Sequence, residues 1–247
     1  MIKEKKKYLT WITFPSLQEL KPGISQVYLQ ASEKVFLFSH IRIPFYTLRF
    51  DFNIPAEEWL MSLSSKSRNK IRRAGKDHLQ FITDQDIDTI IELFNLTVQA
   101  KNLAPINTEK FDPHIPHLVT KLATTSGEVL VAHFYYLDQD QKIALLRYNC
   151  SAYRKSNESE FKAMCGRANR LLFYEDYQYF QNRGFSFLDF GGYNPKDKAK
   201  AIKTVNDFKS DLGGIPIRQY NYYPIPYWLF RQIRNTISKS RFFQSLL

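Results

Sequence analysis

Phe187-Leu188-Asp189-Phe190-Gly191-Gly192-Tyr193 is followed, after a lysine-rich connection, by Val205-Asn206-Asp207-Phe208-Lys209-Ser210-Asp211-Leu212-Gly213-Gly214. The reading of this chain turns on that stretch. Ser186 to Phe190 reads as a short buried strand that ends at a glycine pair. Glycines in that position let the backbone take φ > 0 or approach a ligand closely. The second part reads as a helix that stops at Gly213-Gly214. Lys209 stands beside Phe208 near that stop, where a lysine also counters the helix dipole.

Working upstream, Glu128 to Leu137 reads as a long strand, Asp138 to Gln141 as its turn, and Lys142 to Cys150 as the returning strand. From Glu160 to Asn182, the residues Phe161, Met164, Ala168, Leu171, Leu172, Tyr179 and Phe180 keep helical spacing, and Arg183-Gly184 closes the helix. Hairpin, helix, strand and helix in that order predict an α/β fold with a mixed central sheet flanked by helices. Leu79 to Ile82 reads as a strand. Asp84 to Lys101 reads as a helix, with Asp84 as cap and Asp86 and Asp88 in its first turn. Phe111 to Thr124 reads as another helix. It carries His114 and His117, read as surface histidines because no third metal ligand lies near them in sequence. No metal site is expected.

The N-terminal segment mixes β-branched and aromatic residues at Tyr8 to Phe14, Val27 to Gln30, Lys34 to Ser39 and Tyr46 to Phe52, with Pro15, Pro22-Gly23 and Pro44 between them. This predicts a small antiparallel β region. Ile54-Pro55-Ala56-Glu57-Glu58 then opens a helix, which continues to about Lys76 with a break near Ser64-Ser65. In its second half Arg68, Arg72 and Lys76 share one face and Ile71 and Ala74 another. The expected organisation is an N-terminal β region over 1–53, the α/β domain over 54–225 and a basic amphipathic tail over 226–247. In that tail Trp228, Leu229, Phe230, Ile233 and Ile237 alternate with Arg231, Arg234 and Lys239. Phe242, Phe243, Leu246 and Leu247 extend the apolar stripe. Such a helix packs on the domain or lies on an anionic membrane surface, and core packing is the commoner arrangement.

The charge is uneven in a way that bears on partners. The chain carries 35 Lys and Arg against 24 Asp and Glu in 247 residues. Lys66 to Lys76 and Leu212 to Leu247 contain no acid and account for the whole excess. Such segments favour nucleic acid, phosphorylated substrates or an anionic membrane, or simply form solvated faces. Cys150 and Cys165 form no Cys-x-x-Cys or metal pattern and are expected to be reduced. The first residues lack the apolar run of a signal peptide, and no run reaches the roughly 18 apolar residues of a membrane span. A cytoplasmic protein is expected, soluble or peripheral at the inner face of the membrane.

Three separated segments, spanning roughly residues 46 to 222, resemble the Fem-type peptidoglycan aminoacyltransferases of the GNAT superfamily. Thr47-Leu48 and Asp51, then Arg68, Ile71, Arg72 and Ala74, match that type's strand followed by Arg-x-x-Ile-Arg-x-Ala, with Phe52 in place of the usual Leu. Gly166-Arg167-Ala168-Asn169 with Asp176 and Phe180 matches its helix. Asp189-Phe190-Gly191-Gly192 with Phe208-Lys209 and Gly213-Gly214 matches its C-terminal signature, with Leu212 where Phe is usual. The resemblance implies an acyl- or aminoacyltransferase acting on an amine or hydroxyl of a cell-envelope glycan or lipid-linked phosphorylated precursor.

In that reading Lys209 and Phe208 lie at the chemistry. Arg68, Arg72, Arg167 and Asn169 bind substrate or donor phosphate, with arginine suited to phosphate oxygens. Asp189, Gly191, Gly192 and Tyr193 shape the pocket. The donor is left open between acyl-CoA and aminoacyl-tRNA. Cys165-Gly166-Arg167-Ala168 lacks the intact Gln/Arg-x-x-Gly-x-Gly/Ala loop that binds coenzyme A in ordinary GNAT enzymes. The alternative is a non-catalytic GNAT-like module that binds RNA or an anionic membrane.

Overall fold

A computed structural model describes residues 1–101, 103–193 and 200–244. It divides into two units, one of 1–46 with 218–247 and one of 47–217. This division differs from the expected one: the C-terminal segment groups with the N-terminal strands, and the first boundary falls at 46/47. Lys196, Lys198, Leu246 and Leu247 lie outside the described residues.

In the first unit, strand β1 (Ile2–Lys6) pairs antiparallel with β2 (Leu9–Thr13). Strand β3 (Gln26–Ala31) runs parallel to β2 and antiparallel to β10 (Ile215–Pro224). The expected antiparallel region is therefore mixed: residues 14–25 form a crossover, as parallel neighbours require. The strand expected at Lys34 to Ser39 is a loop. Its polar groups find other partners: Tyr222 Oη accepts from the Val35 N–H at 2.8 Å and donates to the Glu33 carbonyl at 2.9 Å. Helix α6 (Ile225–Gln244) follows β10.

In the second unit the sheet order is β4-β9-β8-β7-β6-β5. It uses β4 (His40–Asp51), β5 (Gln80–Asp84), β6 (His117–Ala123), β7 (Val129–Asp138), β8 (Ile143–Ser151) and β9 (Phe187–Gly192). Strands β5 to β8 are antiparallel neighbours, β8 and β9 are parallel, and β9 and β4 are antiparallel. The parallel step needs a long crossover, which helix α4 (Ser159–Asn182) supplies. The remaining helices are α1 (Ala56–Ser62), α2 (Ser65–Ala74), α3 (Ile87–Gln99) and α5 (Lys200–Asp211). The result is the expected α/β fold with a mixed sheet.

Two expectations fail here. The helix expected over 111–124 is strand β6. Val119 to Ala123 are all buried, and a strand covered on both faces has no polar alternation to betray it. The cap of α3 is Asp86 rather than Asp84: its carboxylate accepts from Asp88 N and Thr89 N. Lys121, almost fully buried on β6, bonds Asp86 at 2.7 Å and Asp84 at 2.8 Å. Its hydrogen bond holds the Asp86 carboxyl down at about 2.

Much of the high aromatic content lies in the core. Trp59 stacks on Tyr177 at 4.8 Å, and Phe190 meets both Phe50 (4.6 Å) and Phe173 (4.7 Å). Trp59 Nε1 donates to the carbonyl of Leu212 at 3.1 Å, tying α1 to the end of α5. Gly214, just beyond, is fixed by space. A Cβ there would lie 2.5 Å from Leu48 Cδ2 and 3.3 Å from the Arg49 carbonyl, and Leu48 is fully buried on β4. Gly214→Ala is expected to destabilise by about 1–3 kcal/mol through overpacking. In thermal melting that is a drop of roughly 3–10 °C; an unchanged melting temperature would show that Leu48 has room to move.

Candidate functional site

Strands β8 and β9 pair for three residues only: Ile143 with Phe187, Ala144 with Leu188 and Leu145 with Asp189. Beyond that point no register joins them, and a cavity of about 490 Å³ occupies the gap. Leu146, Arg147 and Asn149 line it from β8, Phe190 from β9, Asn169 from α4, and Val205, Phe208 and Lys209 from α5.

The end of β9 is shaped by Asp189 and Gly191. Asp189 is fully buried. Its carboxylate accepts from Arg49 Nε at 3.0 Å, from Gly191 N at 2.8 Å and from the Thr47 hydroxyl. Thr47 Oγ1 also lies 2.9 Å from the Gly191 carbonyl oxygen. Gly191 has φ = 68°, a left-handed conformation that favours glycine. The register between β4 and β9 shifts opposite it, between Thr47 and Arg49. The Asp-Phe-Gly-Gly sequence thus makes a bulge across which β9 keeps its pairing with β4 after its pairing with β8 has ended.

Lys209 closes the same corner. Its Nζ donates to the carbonyls of Phe190 (2.9 Å) and Gly192 (2.7 Å). These two bonds leave one of the three ammonium N–H groups for a group in the cavity. Burial pushes its pKa down to about 8, against the pull of the Asp189 charge, which favours the ammonium. Phe208 lies beside it, with the Arg170 guanidinium 5.0 Å above its ring. Tyr193 reaches α5 through Ser210, Oη to Oγ 3.3 Å.

Behind Asn169 stands a buried polar network that sequence reading missed. His133 Nε2 lies 2.9 Å from Asn169 Oδ1, and its Nδ1 lies 2.7 Å from Asp176 Oδ2. Tyr135 donates to the same carboxylate oxygen at 2.6 Å, and burial first, then the Asp176 charge, raises its pKa well above the usual phenol value. Asn169 Nδ2 reaches Asn149 Oδ1 at 3.1 Å. A chain of side chains therefore runs from fully buried Asp176 to the cavity wall. The available signal was faint: a His and a Tyr two apart on one strand face, and an Asn and an Asp seven apart on one helix face.

A second cavity, about 440 Å³, lies where α2 meets α4. Asn69, Lys70 and Arg73 line it from α2, and Lys162, Ala163, Gly166 and Arg167 from α4. Arg167 is buried and held by Asp77 at 3.2 Å and Glu160 at 3.0 Å. Burial, then the Arg170 and Lys66 charges, lowers the pKa of Lys70. Four cations against two carboxylates leave this cavity positive.

The expected residues thus divide. Lys209, Phe208 and Asn169 meet in the first cavity, with Asp189, Gly191 and Gly192 forming its corner. Asn169 was expected with the phosphate ligands and stands apart from them. Arg167 does reach the basic cavity, but its charge is already compensated. Arg68 turns back to cap α1, its Nη1 donating to the carbonyls of Met61 (2.8 Å) and Leu63. Arg72 is exposed and does not line the basic cavity. The reason is helical geometry. Ser67, Ile71 and Ala74 are the buried seam of α2. At 100° per residue, Lys70 and Arg73 flank that seam on one side and Arg68 and Arg72 on the other.

No protein-family model and no curated protein sequence matches the chain. Solved structures do. The chain superposes on FemX with a TM-score of 0.60 at 14% identity, covering 82% of this chain and 67% of that one. L-PGS from Bacillus licheniformis gives 0.51 at 11%, covering 80% and 67%. The C-terminal domain of a protein described as a lysylphosphatidylglycerol synthetase, from Agrobacterium fabrum, gives 0.53 at 12%, covering 90% and 79%. With its mixed sheet and its parallel pair parting over a lysine, the chain has the GNAT-like, Fem-type fold that its sequence resembles.

Proposed function

We propose that this chain is an acyl- or aminoacyltransferase that transfers its group to an amine or hydroxyl of a cell-envelope glycan or lipid-linked precursor. The observation that carries the reading is Lys209. A half-desolvated ammonium, fixed by two backbone carbonyls, lines a cavity between two parting parallel strands. When an amine or hydroxyl attacks an ester or thioester carbonyl, negative charge gathers on the carbonyl oxygen. A preorganised cation in a cavity lined largely by apolar surface stabilises that charge at little reorganisation cost. Asn149 and Asn169 supply neutral amide groups on the same wall, where they orient the reactants. The basic cavity of Lys70, Arg73 and Lys162 is the place for donor or acceptor phosphates, in the manner expected of Arg68 and Arg72. The description of the Agrobacterium fabrum protein as a lysylphosphatidylglycerol synthetase favours an aminoacyl donor and a phosphate-bearing acceptor.

The test is thermal melting with acyl-CoAs, a charged tRNA pool and nucleotide-activated sugars. A cognate donor at about a hundred times its Kd is expected to raise the melting temperature by roughly 5–10 °C. The shift is expected to shrink in Lys70→Ala/Arg73→Ala, while Arg68→Ala lowers the melting temperature without changing it. Silence from every donor, with saturable binding of uncharged RNA, would replace the transferase by a binding module.

A further inference from the structure

Helix α6 turns one side to its unit and leaves the other uncovered. Tyr227 meets Trp11 edge-on at 5.8 Å and lies 6.3 Å from the Tyr223 ring, and the Arg231 guanidinium sits 5.4 Å above Tyr223. The helical repeat places Ile225, Leu229 and Ile233 on the other side and Phe230 on the flank between the two. Phe230 is 62% exposed and Ile233 60%. Of the two arrangements open for this stripe, packing on the domain, the commoner one, does not hold for Leu229, Phe230 and Ile233. The start of α6 touches the loop of residues 32–39, since the Ile225 N–H donates to the Ser39 carbonyl at 3.0 Å. That loop holds Phe36 and Phe38 in water, 88% and 71% exposed. Adjoining elements of one unit thus present six large apolar side chains, an arrangement that marks an interaction surface.

The charges nearby have mainly one sign. Lys34, Arg42 and Arg234 are exposed, and Arg42 Nη1 reaches the Val35 carbonyl at the root of the loop (3.3 Å). Glu33 is the one acid of residues 32–39, and residues 212–247 have none. Among the described residues no helix is long and apolar enough to cross a membrane. A second copy of the chain would set cation against cation. A bilayer with anionic headgroups accepts the apolar side chains and neutralises the bases together.

We propose that the Phe36–Phe38 loop and the outer face of α6 form one docking surface for an anionic lipid bilayer. Helix α6 lies in the plane of the interface, with Phe36, Phe38, Leu229, Phe230 and Ile233 at the acyl boundary and Lys34 and Arg42 at the headgroup phosphates. This holds whether or not the second unit transfers acyl groups, so the two proposals fail separately. The test is sedimentation of the 247-residue chain with vesicles of phosphatidylcholine alone and of phosphatidylcholine with phosphatidylglycerol. Binding is expected only to the anionic vesicles and is expected to weaken as salt rises. Phe36→Ser/Phe38→Ser and Leu229→Ser/Phe230→Ser should each lower the partition coefficient about tenfold or more. All four positions are solvent-facing, so melting temperatures should not move. Equal binding to neutral vesicles, full binding by both variants, or a dimer that these variants dissociate would each overturn the proposal.

Discussion

Lys209→Met is expected to lower the rate of acyl transfer by about 10²–10³, the usual loss when one oxyanion-stabilising donor is removed. The melting temperature should stay within a few degrees. Methionine fills the same channel, and the two carbonyls that lose the ammonium lie at a strand end, where Gly192 is exposed. The pH profile identifies the form that acts. With a pKa of about 8, Lys209 is mostly ammonium at neutral pH. If the charge does the chemistry, kcat/KM is flat below pH 8 and falls tenfold per unit above it. A rate that climbs through pH 8 would mean that the neutral amine works as a base, and the electrostatic role would be wrong.

Stability should move in the opposite direction to activity. The folded pKa lies below the ordinary 10.5, so between pH 8 and 10.5 the unfolded chain binds more protons than the folded one. Unfolding free energy therefore rises with pH across that window, by at most about 3 kcal/mol. Comparison with Lys209→Met isolates this contribution. The wild type should gain on the variant as pH rises, in the same interval where it loses activity.

Elements of the second unit were legible because their signals are local. The glycine pair after Phe190 announces a change of backbone course, which the structure shows to be a bulge inside β9 where a strand end was expected, and Gly213-Gly214 after an apolar-periodic helix announces its end. The hairpin of β7 and β8 and the long helix α4 keep their periods over many residues. Strand β6 was not legible, since complete burial removes the alternation that distinguishes strand from helix. The basic cavity was half legible. Composition located its bases on the run Lys66 to Lys76, but one helical step decides which of them face α4, and the seam of Ile71 and Ala74 chooses Lys70 and Arg73. The His133–Asp176 network lay out of reach, because its members come from β7 and α4 and meet only once α4 has crossed the sheet. The exposed face of α6 was open for a similar reason. Period alone is the same for a helix that packs and a helix that does not.

Asp189→Ala is expected to cost about 3–5 kcal/mol, the usual result of removing one partner of a buried ion pair, or a fall of roughly 6–20 °C in melting temperature. The carboxylate holds Arg49, Thr47 and Gly191 N together, and Arg49 itself is largely covered, its guanidinium 4.3 Å over the Phe187 ring. Removing Asp189 takes the carboxylate from that cation and frees the bulge that carries the Phe190 and Gly192 carbonyls to Lys209. Asp189→Asn separates charge from shape. The amide keeps an acceptor for Gly191 N and preserves the bulge, but it withdraws the charge that favours the Lys209 ammonium. The alkaline fall of kcat/KM should then move below pH 8, with neutral-pH activity falling in step with the lost ammonium. Arg49→Leu/Asp189→Leu completes the argument. Apolar replacement of a whole buried pair restores much of the stability lost by breaking it, so this variant should melt well above Asp189→Ala. It still lacks the carboxylate, and its activity should fall off at the same lowered pH as in Asp189→Asn. A profile that returned to pH 8 in the double variant would show that the Asp189 and Arg49 charges cancel at Lys209, and that the shift in Asp189→Asn comes from the Arg49 cation left without its carboxylate.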